Sequence, residues 1–416
     1  MQKHSITDGC FHKTVLHNGI RVISEQIPGV QSVALGIWII AGSRFENRQN
    51  NGISHFIEHM VFKGTRNRSA FEIAKSLESV GGSLNAFTSK ESTCYIAQIL
   101  DRNLPLAIEV IADLIQNPSF SPDDIEKEKN VVFDEISSVE ETPEELVHEY
   151  FQGVVFSKHP LGYSVLGSRE IVSLFSQSML KQFWKEYYTG NRIIVTAAGN
   201  VEHDIVVRHT HKFFSRSSPE NKKHRTHKIG PLLREKIVQQ RIQQTHVCIG
   251  GLGLSYRTPK KYPLMLLSTV LGGGMSSRLF QNIREKYGIA YSIYSFSEFL
   301  SDFGIFGVYL STDREKITQS LRLIRKEFRN VRDKRIRPQE LNNVKNQLIG
   351  NLTIGMESPS SRMSRIAKME MHLGNYISLD KVINCINGVT ADQIRDVAIE
   401  ILPENSLQTT MLVPTA

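Results

Sequence analysis

A chain of 416 residues with 40% hydrophobic and 22% charged side chains holds more apolar material than one ordinary core needs, and divides most simply into two domains of roughly 200 residues. No run of about 18 apolar residues occurs, which excludes a membrane-spanning helix. The amino terminus MQKHSITDGCFHK has neither an apolar stretch nor an Arg-rich amphipathic pattern, so no export or import signal is expected and the cytoplasm is the expected location.

The net charge of +8 and a pI near 9.2 would suit nucleic acid or anionic lipid. The basic residues are dispersed, however, and lack aromatic interleaving, so neither a nucleic-acid nor a membrane partner is expected. Cys10, Cys94, Cys248 and Cys385 lie far apart without CxxC spacing, which argues against a disulfide framework or a thiolate zinc site.

In chain order, HKTVLHNGIRVISEQI combines two β-rich runs with Asn-Gly turn chemistry, and QSVALGIWIIAGS reads as a further strand. A helix carrying HFIEH follows, then an amphipathic helix in SAFEIAKSLESVGG capped by Ser69. SLNAFTSKESTCYIAQIL reads as two short strands. LPLAIEVIADLI and SPDDIEKEKNVVFDEISSVEE read as helices, the second with Ser121 as N-cap and Pro122 in its first turn. NRIIVTAAGN is a buried strand.

The second half repeats this order. QQTHVCIGGLGLSY stands where QSVALGIWIIAGS stood, and PQELNNVKNQLIGNL from Pro338 aligns without gaps on PDDIEKEKNVVFDEI from Pro122 at an offset of 216. A duplicated α+β domain accounts for this, with the boundary in the polar stretch of residues 214–236. The copies differ in their chemistry. Leu264–Ser268 stands opposite HFIEH, and Val344 and Asn351 stand opposite Glu128 and Glu135.

On a helix, His55 and His59 lie on one face and can direct their imidazoles at one ion. Zinc accepts imidazole nitrogen well, and Glu58 is placed to take a proton from water at such a site. Histidines on an ordinary amphipathic helix would give the same pattern, so a third ligand is needed. Glu128 and Glu135 lie seven apart on one helix face. Glu135, 76 residues beyond His59, is the candidate ligand, and Glu128 can hydrogen-bond a ligating histidine from behind. Either glutamate is equally readable as a solvated helix residue, and spacing does not choose.

His55-Phe56-Ile57-Glu58-His59, with a glutamate 76 residues on, resembles the inverted zinc motif of the pitrilysin/insulinase family of metallopeptidases. The two related halves and NVVFDEI are most similar to its mitochondrial-processing-peptidase branch, which includes single-chain bacterial members. The resemblance runs over essentially the whole chain. It implies one Zn2+ per chain held by His55, His59 and Glu135, with Glu58 as general base and Glu128 as the supporting carboxylate.

In the second half, IREKYGIAYSIYS resembles the family's Arg and Tyr of the non-metal half. This implies that Arg284 and Tyr291 hold the substrate carbonyl and its oxyanion. Without that match they read as a helix cap and a packed strand residue. GGSLNAFTSKES resembles the family's edge strand, where the backbone near Asn85 and Ala86 pairs with an extended peptide; alone it is an ordinary hairpin. Glu145 and Glu149 match positions that receive an arginine two residues before the cut, although an acidic run there also suits a solvated helix face. Phe62 matches the position touching the residue just after the cut. LGGGMSSRLF lacks the Gly-Lys-Ser/Thr ending of a phosphate loop and reads as a loop entering a helix.

The expected fold is α+β with two homologous domains, each a mainly antiparallel sheet packed with helices. Residues 1–215 form the catalytic domain, 216–236 a polar linker, and 237–416 a related inactive domain contributing to a substrate chamber. The expected activity is zinc-dependent endopeptidase action on extended peptides or flexible precursor termini, by a homodimer. The alternative is a catalytically inactive structural or binding subunit of the same fold.

Overall fold

Asn18-Gly19 turns the chain where Asn-Gly chemistry predicts, and the corner is closed by the Leu16 N–H donating to the Ile20 carbonyl at 2.9 Å. The computed structural model describes residues 5–8, 10–214, 229–230 and 234–415; most of the expected linker, residues 216–228 and 231–233, lies outside them.

Seven strands form the first sheet: β1 (Ser5–Asp8), β2 (Phe11–Val15), β3 (Arg21–Gln26), β4 (Ser32–Ile39), β5 (Ser83–Thr88), β6 (Thr93–Leu100) and β7 (Ile193–Gly199). Their order is β1-β2-β3-β7-β4-β6-β5, antiparallel except for the parallel pair β3 and β7. Five strands form the second: β8 (Glu235–Gln240), β9 (Thr245–Gly253), β10 (Ser292–Phe299), β11 (Gly304–Thr312) and β12 (Gln408–Pro414). Their order is β10-β11-β9-β12-β8, with β8 and β12 parallel. Read from the other edge, β8-β12-β9-β11-β10 reproduces β3-β7-β4-β6-β5, including the position of the single parallel pair. The duplication suggested by the sequence is thus a duplication of topology.

The helices follow the same plan. In the first copy α1 (Ile53–Val61), α2 (Ala70–Glu78), α3 (Leu104–Gln116) and α4 (Pro122–Glu141) follow β4 and β6. Ser69 caps α2 through a reciprocal box with Glu72. In the second copy, helix Lys261–Gly272 stands where α1 does, and helix Pro338–Gly355 where α4 does. Phe280–Glu285, after the glycine-rich loop, is a short π-helix.

The first core is built from the alternate residues Val33, Leu35, Ile37 and Ile39 of β4, the fully buried β7, and the apolar faces of α1 and α3. Each such aliphatic side chain contributes about 1.5–3 kcal/mol by leaving water.

The compact units do not follow the two halves of the sequence. One comprises the described residues of Met1–Ser137, Tyr163–His227 and Gly355–Tyr376; the other comprises those of Ser138–Gly162, Lys228–Ile354 and Ile377–Ala416. Helix Pro359–Leu373, distant in sequence, packs on β3, β4 and β7 of the first unit. Gly36 makes room for it, since a Cβ there would lie 2.3 Å from Met363 Sδ. Lys13 donates to Glu370 at 2.7 Å and Arg362 to Glu25 at 2.9 Å, so the carboxylates buried at this junction are paired. Reciprocally, α5 (Pro143–Val155) packs on β9 and β12 of the second unit through Leu146, Val147 and Phe151.

Candidate active site

Helix α1 begins at Gly52, whose φ of 94° suits glycine and whose side offers no room for a Cβ beside the Leu166 carbonyl. No Ser, Thr or Asp caps it. The buried Glu46 does so instead: it accepts the Gly52 N–H at 2.7 Å, the Ser54 N–H at 2.9 Å and the Asn51 amide at 2.9 Å. Burial pushes the Glu46 carboxyl up while those hydrogen bonds oppose it. Phe56, Ile57, Met60 and Val61 are fully buried on the core side, which sets the roll of the helix and turns His55, Glu58 and His59 to one site.

Helix α4 is set by Ile125, Val132 and Ile136, buried in the same core. That roll brings Glu135 to the histidines: His55 Nε2 lies 3.5 Å from Glu135 Oε2, and His59 Nε2 lies 3.5 Å from Glu135 Oε1. One ligand atom from each of the three falls within 4.8 Å of the others, the one such group among the described residues. For ligands about 2.0–2.2 Å from a tetrahedral ion, neighbouring ligand atoms stand roughly 3.3–3.6 Å apart, so a carboxylate whose two oxygens each lie at such a distance from one imidazole suits a shared zinc. His55 Nδ1 is buried with no hydrogen-bond partner among the described residues.

The two imidazoles are shifted in opposite directions. Burial, with His59 beside it, pushes the His55 pKa down to about 3. For His59, burial pulls downward, but the hydrogen bond with Glu128 and the charges of Glu135, Glu128 and Glu58 outweigh it and the net direction is up. Nδ1 of His59 lies 2.8 Å from Glu128 Oε1; in the tautomer with the proton on Nδ1, that N–H donates to the carboxylate and the Nε2 lone pair is left for the site. Lys63 holds the other Glu128 oxygen at 2.6 Å.

Glu58 is 8% exposed and is not one of the three. Burial raises its pKa, opposed by a hydrogen bond from Thr88 and by His59. The set is therefore three side chains that could hold a metal ion beside a separate buried carboxylate. The second unit carries leucines at the corresponding place, Leu264, Leu266 and Leu267, all buried.

Phe62, partly buried, ends α1, its ring 6.4 Å from that of Tyr95. Asn85 is exposed and Ala86 half-buried on β5, at the edge of the first sheet. Glu145 is exposed and Glu149 half-buried on α5, in the second unit. Arg284 is exposed, with its guanidinium 4.9 Å from the Phe280 ring centre, and Tyr291 is 55% exposed with its hydroxyl 3.4 Å from Asp313. Glu46, Lys63 and Thr88 were not found by sequence reasoning. Only Thr88 left a signal, as the residue two beyond Ala86 on the same strand face.

Residues 21–169 match the family model described as insulinase (peptidase family M16), and residues 175–348 the one described as peptidase M16 inactive domain. A Bacillus subtilis protein described as an uncharacterized zinc protease is 40% identical over 93% of this chain and 95% of its own. A Streptomyces coelicolor protein of the same description is 36% identical over 95% and 88%. Among solved structures, a Helicobacter pylori protease superposes with a TM-score of 0.89 at 22% identity, covering 97% of this chain and 99% of the other. A Pseudomonas fluorescens structure described as a peptidase M16 inactive domain gives 0.89 at 18% identity, covering 98% of each. Fold and relatives together place the chain among proteins described as zinc proteases. The chain belongs to the insulinase family, peptidase family M16.

Proposed function

We propose that this protein is a zinc-dependent endopeptidase acting on extended peptides or flexible precursor termini, with Glu58 as general base. The convergence of His55, His59 and Glu135 beside a carboxylate that is not among them carries this reading. Bound zinc, one per chain, supplies a Lewis acid that polarises a carbonyl and lowers the pKa of water.

The chain's own residues do the rest. His55, His59 and Glu135 hold the ion, and Glu128 keeps His59 in the tautomer that presents Nε2. Glu58 takes the proton of the attacking water and passes it to the leaving amine. The outer edge of β5, at Asn85 and Ala86, receives the peptide backbone by strand addition, which secures many sequences alike. Phe62 contacts the residue after the cut, and the acidic Glu145 and Glu149 favour a basic residue before it. Arg284 and Tyr291 stabilise the oxyanion, and the working form is a homodimer. An inactive binding subunit is the less favoured reading because no ligand and no base is missing.

The test is zinc content together with cleavage of a quenched Arg-containing peptide. Glu58→Gln is expected to keep zinc and lose about 10²–10⁴-fold in kcat, whereas His59→Ala loses both. A wild type that binds no stoichiometric zinc and cuts nothing refutes the proposal.

A further inference from the structure

Glu58 has one fixed partner outside its own helix. Thr88, the last residue of β5, lies with its hydroxyl 2.5 Å from Glu58 Oε2 and donates to it, while Oε1 accepts no hydrogen bond among the described residues. The alternation of exposure along β5 explains the direction. Ser83, Asn85 and Phe87 face outward, and Leu84, Ala86 and Thr88 face inward, towards α1.

The hydroxyl is itself held. Thr88 pairs with Thr93 across the ladder, with their oxygens 3.2 Å apart, and Thr93 Oγ1 donates to the Ala41 carbonyl at 3.1 Å. The hairpin tip beyond is clamped: Ser89 N–H donates to Ser92 O at 2.8 Å, and Lys90 Nζ to the Tyr163 carbonyl at 2.5 Å. Arg44 donates its N–H to Lys90 O at 2.8 Å and pairs with Glu91 at 2.6 Å. Being β-branched, Thr88 also has few rotamers through which its hydroxyl could swing away.

We propose that Thr88 is the positioning residue of the base: its hydroxyl fixes the orientation of the Glu58 carboxylate. Because Thr88 belongs to the edge strand, the element that receives a peptide and the element that aims the base are the same hairpin. This rests on the reading of Glu58 as general base. A hydroxyl that merely satisfies a buried carboxylate would contribute stability alone; a positioning hydroxyl contributes to kcat.

The experiment compares wild type, Thr88→Val, Thr88→Ala and Thr88→Ser in kcat, KM, zinc content and crystal structure. Thr88→Val and Thr88→Ala are expected to lose about 10–100-fold in kcat, the usual effect of removing an outer partner, with zinc content unchanged and KM little altered. Thr88→Ser, which keeps the hydroxyl, is expected to recover most of the loss. In the crystals, Glu58 is expected to leave its wild-type orientation in Thr88→Val and Thr88→Ala and to keep it in Thr88→Ser.

The proposal is overturned if Thr88→Val and Thr88→Ala keep wild-type kcat, if Thr88→Ser is as slow as they are, or if the loss falls on KM or zinc. An unmoved Glu58 carboxylate in Thr88→Val and Thr88→Ala also overturns it, whatever the kinetics. A wild type that cuts no peptide sinks the endopeptidase reading, and the crystal structures then decide separately whether Thr88 orients Glu58.

Discussion

Glu128 and His59 are joined by a 2.8 Å hydrogen bond at Nδ1, and Lys63 closes on the opposite carboxylate oxygen at 2.6 Å. The pair fixes which imidazole nitrogen is free, and a glutamine cannot reproduce it. With its carbonyl turned to His59, the amide of Glu128→Gln meets the Lys63 ammonium; flipped, it demands the wrong tautomer of His59. Zinc affinity is therefore expected to fall about 10–100-fold in Glu128→Gln, read by competition with a chromogenic chelator. An affinity equal to wild type would show that the tautomer is set by something else.

Glu46 carries the N-terminus of α1, which has no side-chain cap of its own. Its negative charge also sits where the helix dipole favours an anion. Removing it in Glu46→Ala leaves the Gly52 and Ser54 N–H groups unpaired in a buried place. The helix start is expected to lose about 1–2 kcal/mol, or roughly 5–30-fold faster amide exchange over the first turn of α1 if opening is local. Zinc affinity is expected to fall with it, because His55 lies in that turn. Unchanged exchange protection would remove Glu46 from this role.

The first-copy site was legible where the physics is local. The 3.6 period put His55 and His59 on one face, Ser69 announced the start of α2, and alternation marked β5 and β6. The repeat at an offset of 216 joins two helices, Pro122–Glu141 and Pro338–Gly355, and the strand order repeats with them. What stayed hidden depends on distant partners. The approach of Glu135 to the histidines follows from how α4 rolls on the core, which spacing along the chain does not encode. Glu46 as a cap is visible only once the loop folds back on Gly52. The exchange of α5 and helix Pro359–Leu373 between units was unreadable for a related reason: an amphipathic helix declares that it has a buried face but not which sheet will cover it. For helix Pro359–Leu373 the match lies in distant partners, Met363 over Gly36 and the pairs Lys13–Glu370 and Arg362–Glu25.

Asp113 supplies a pH dependence that does not involve the ligand cluster. Burial pushes its pKa up, but hydrogen bonds from Thr65, Asn117, Asn67 and Arg68 outweigh burial and the net direction is down. A depressed folded-state pKa means that the unfolded chain binds its proton first. The stabilisation is therefore present above the ordinary aspartate value of 3.8 and is lost as pH falls through the lower folded value. Asp113→Asn is expected to destabilise its unit by about 1–3 kcal/mol at neutral pH, and its difference from wild type is expected to shrink in acid. Denaturant melts across pH check this, and a pH-independent difference would show that the carboxylate charge is not what matters.

Tyr291 tests the contribution assigned to the second unit. Its backbone N–H is bound to the Ser311 carbonyl at 3.0 Å, which holds the residue at the head of β10, while its side chain is 55% exposed. The hydroxyl's contact with Asp313, at 3.4 Å, is at the long end for a hydrogen bond and costs little to give up for a stronger acceptor. A phenol so placed is a poor structural element, since removing its oxygen leaves no buried group unpaired. Tyr291→Phe is thus expected to leave the melting curve and the zinc content unchanged. If the hydroxyl stabilises the oxyanion, kcat falls by about 10²–10³-fold, the effect of losing one such donor. Because the donor acts on charge that develops only in the transition state, KM is expected to change much less than kcat. A single-turnover measurement with the quenched peptide separates this chemical step from product release, and an unchanged rate there would remove Tyr291 from catalysis.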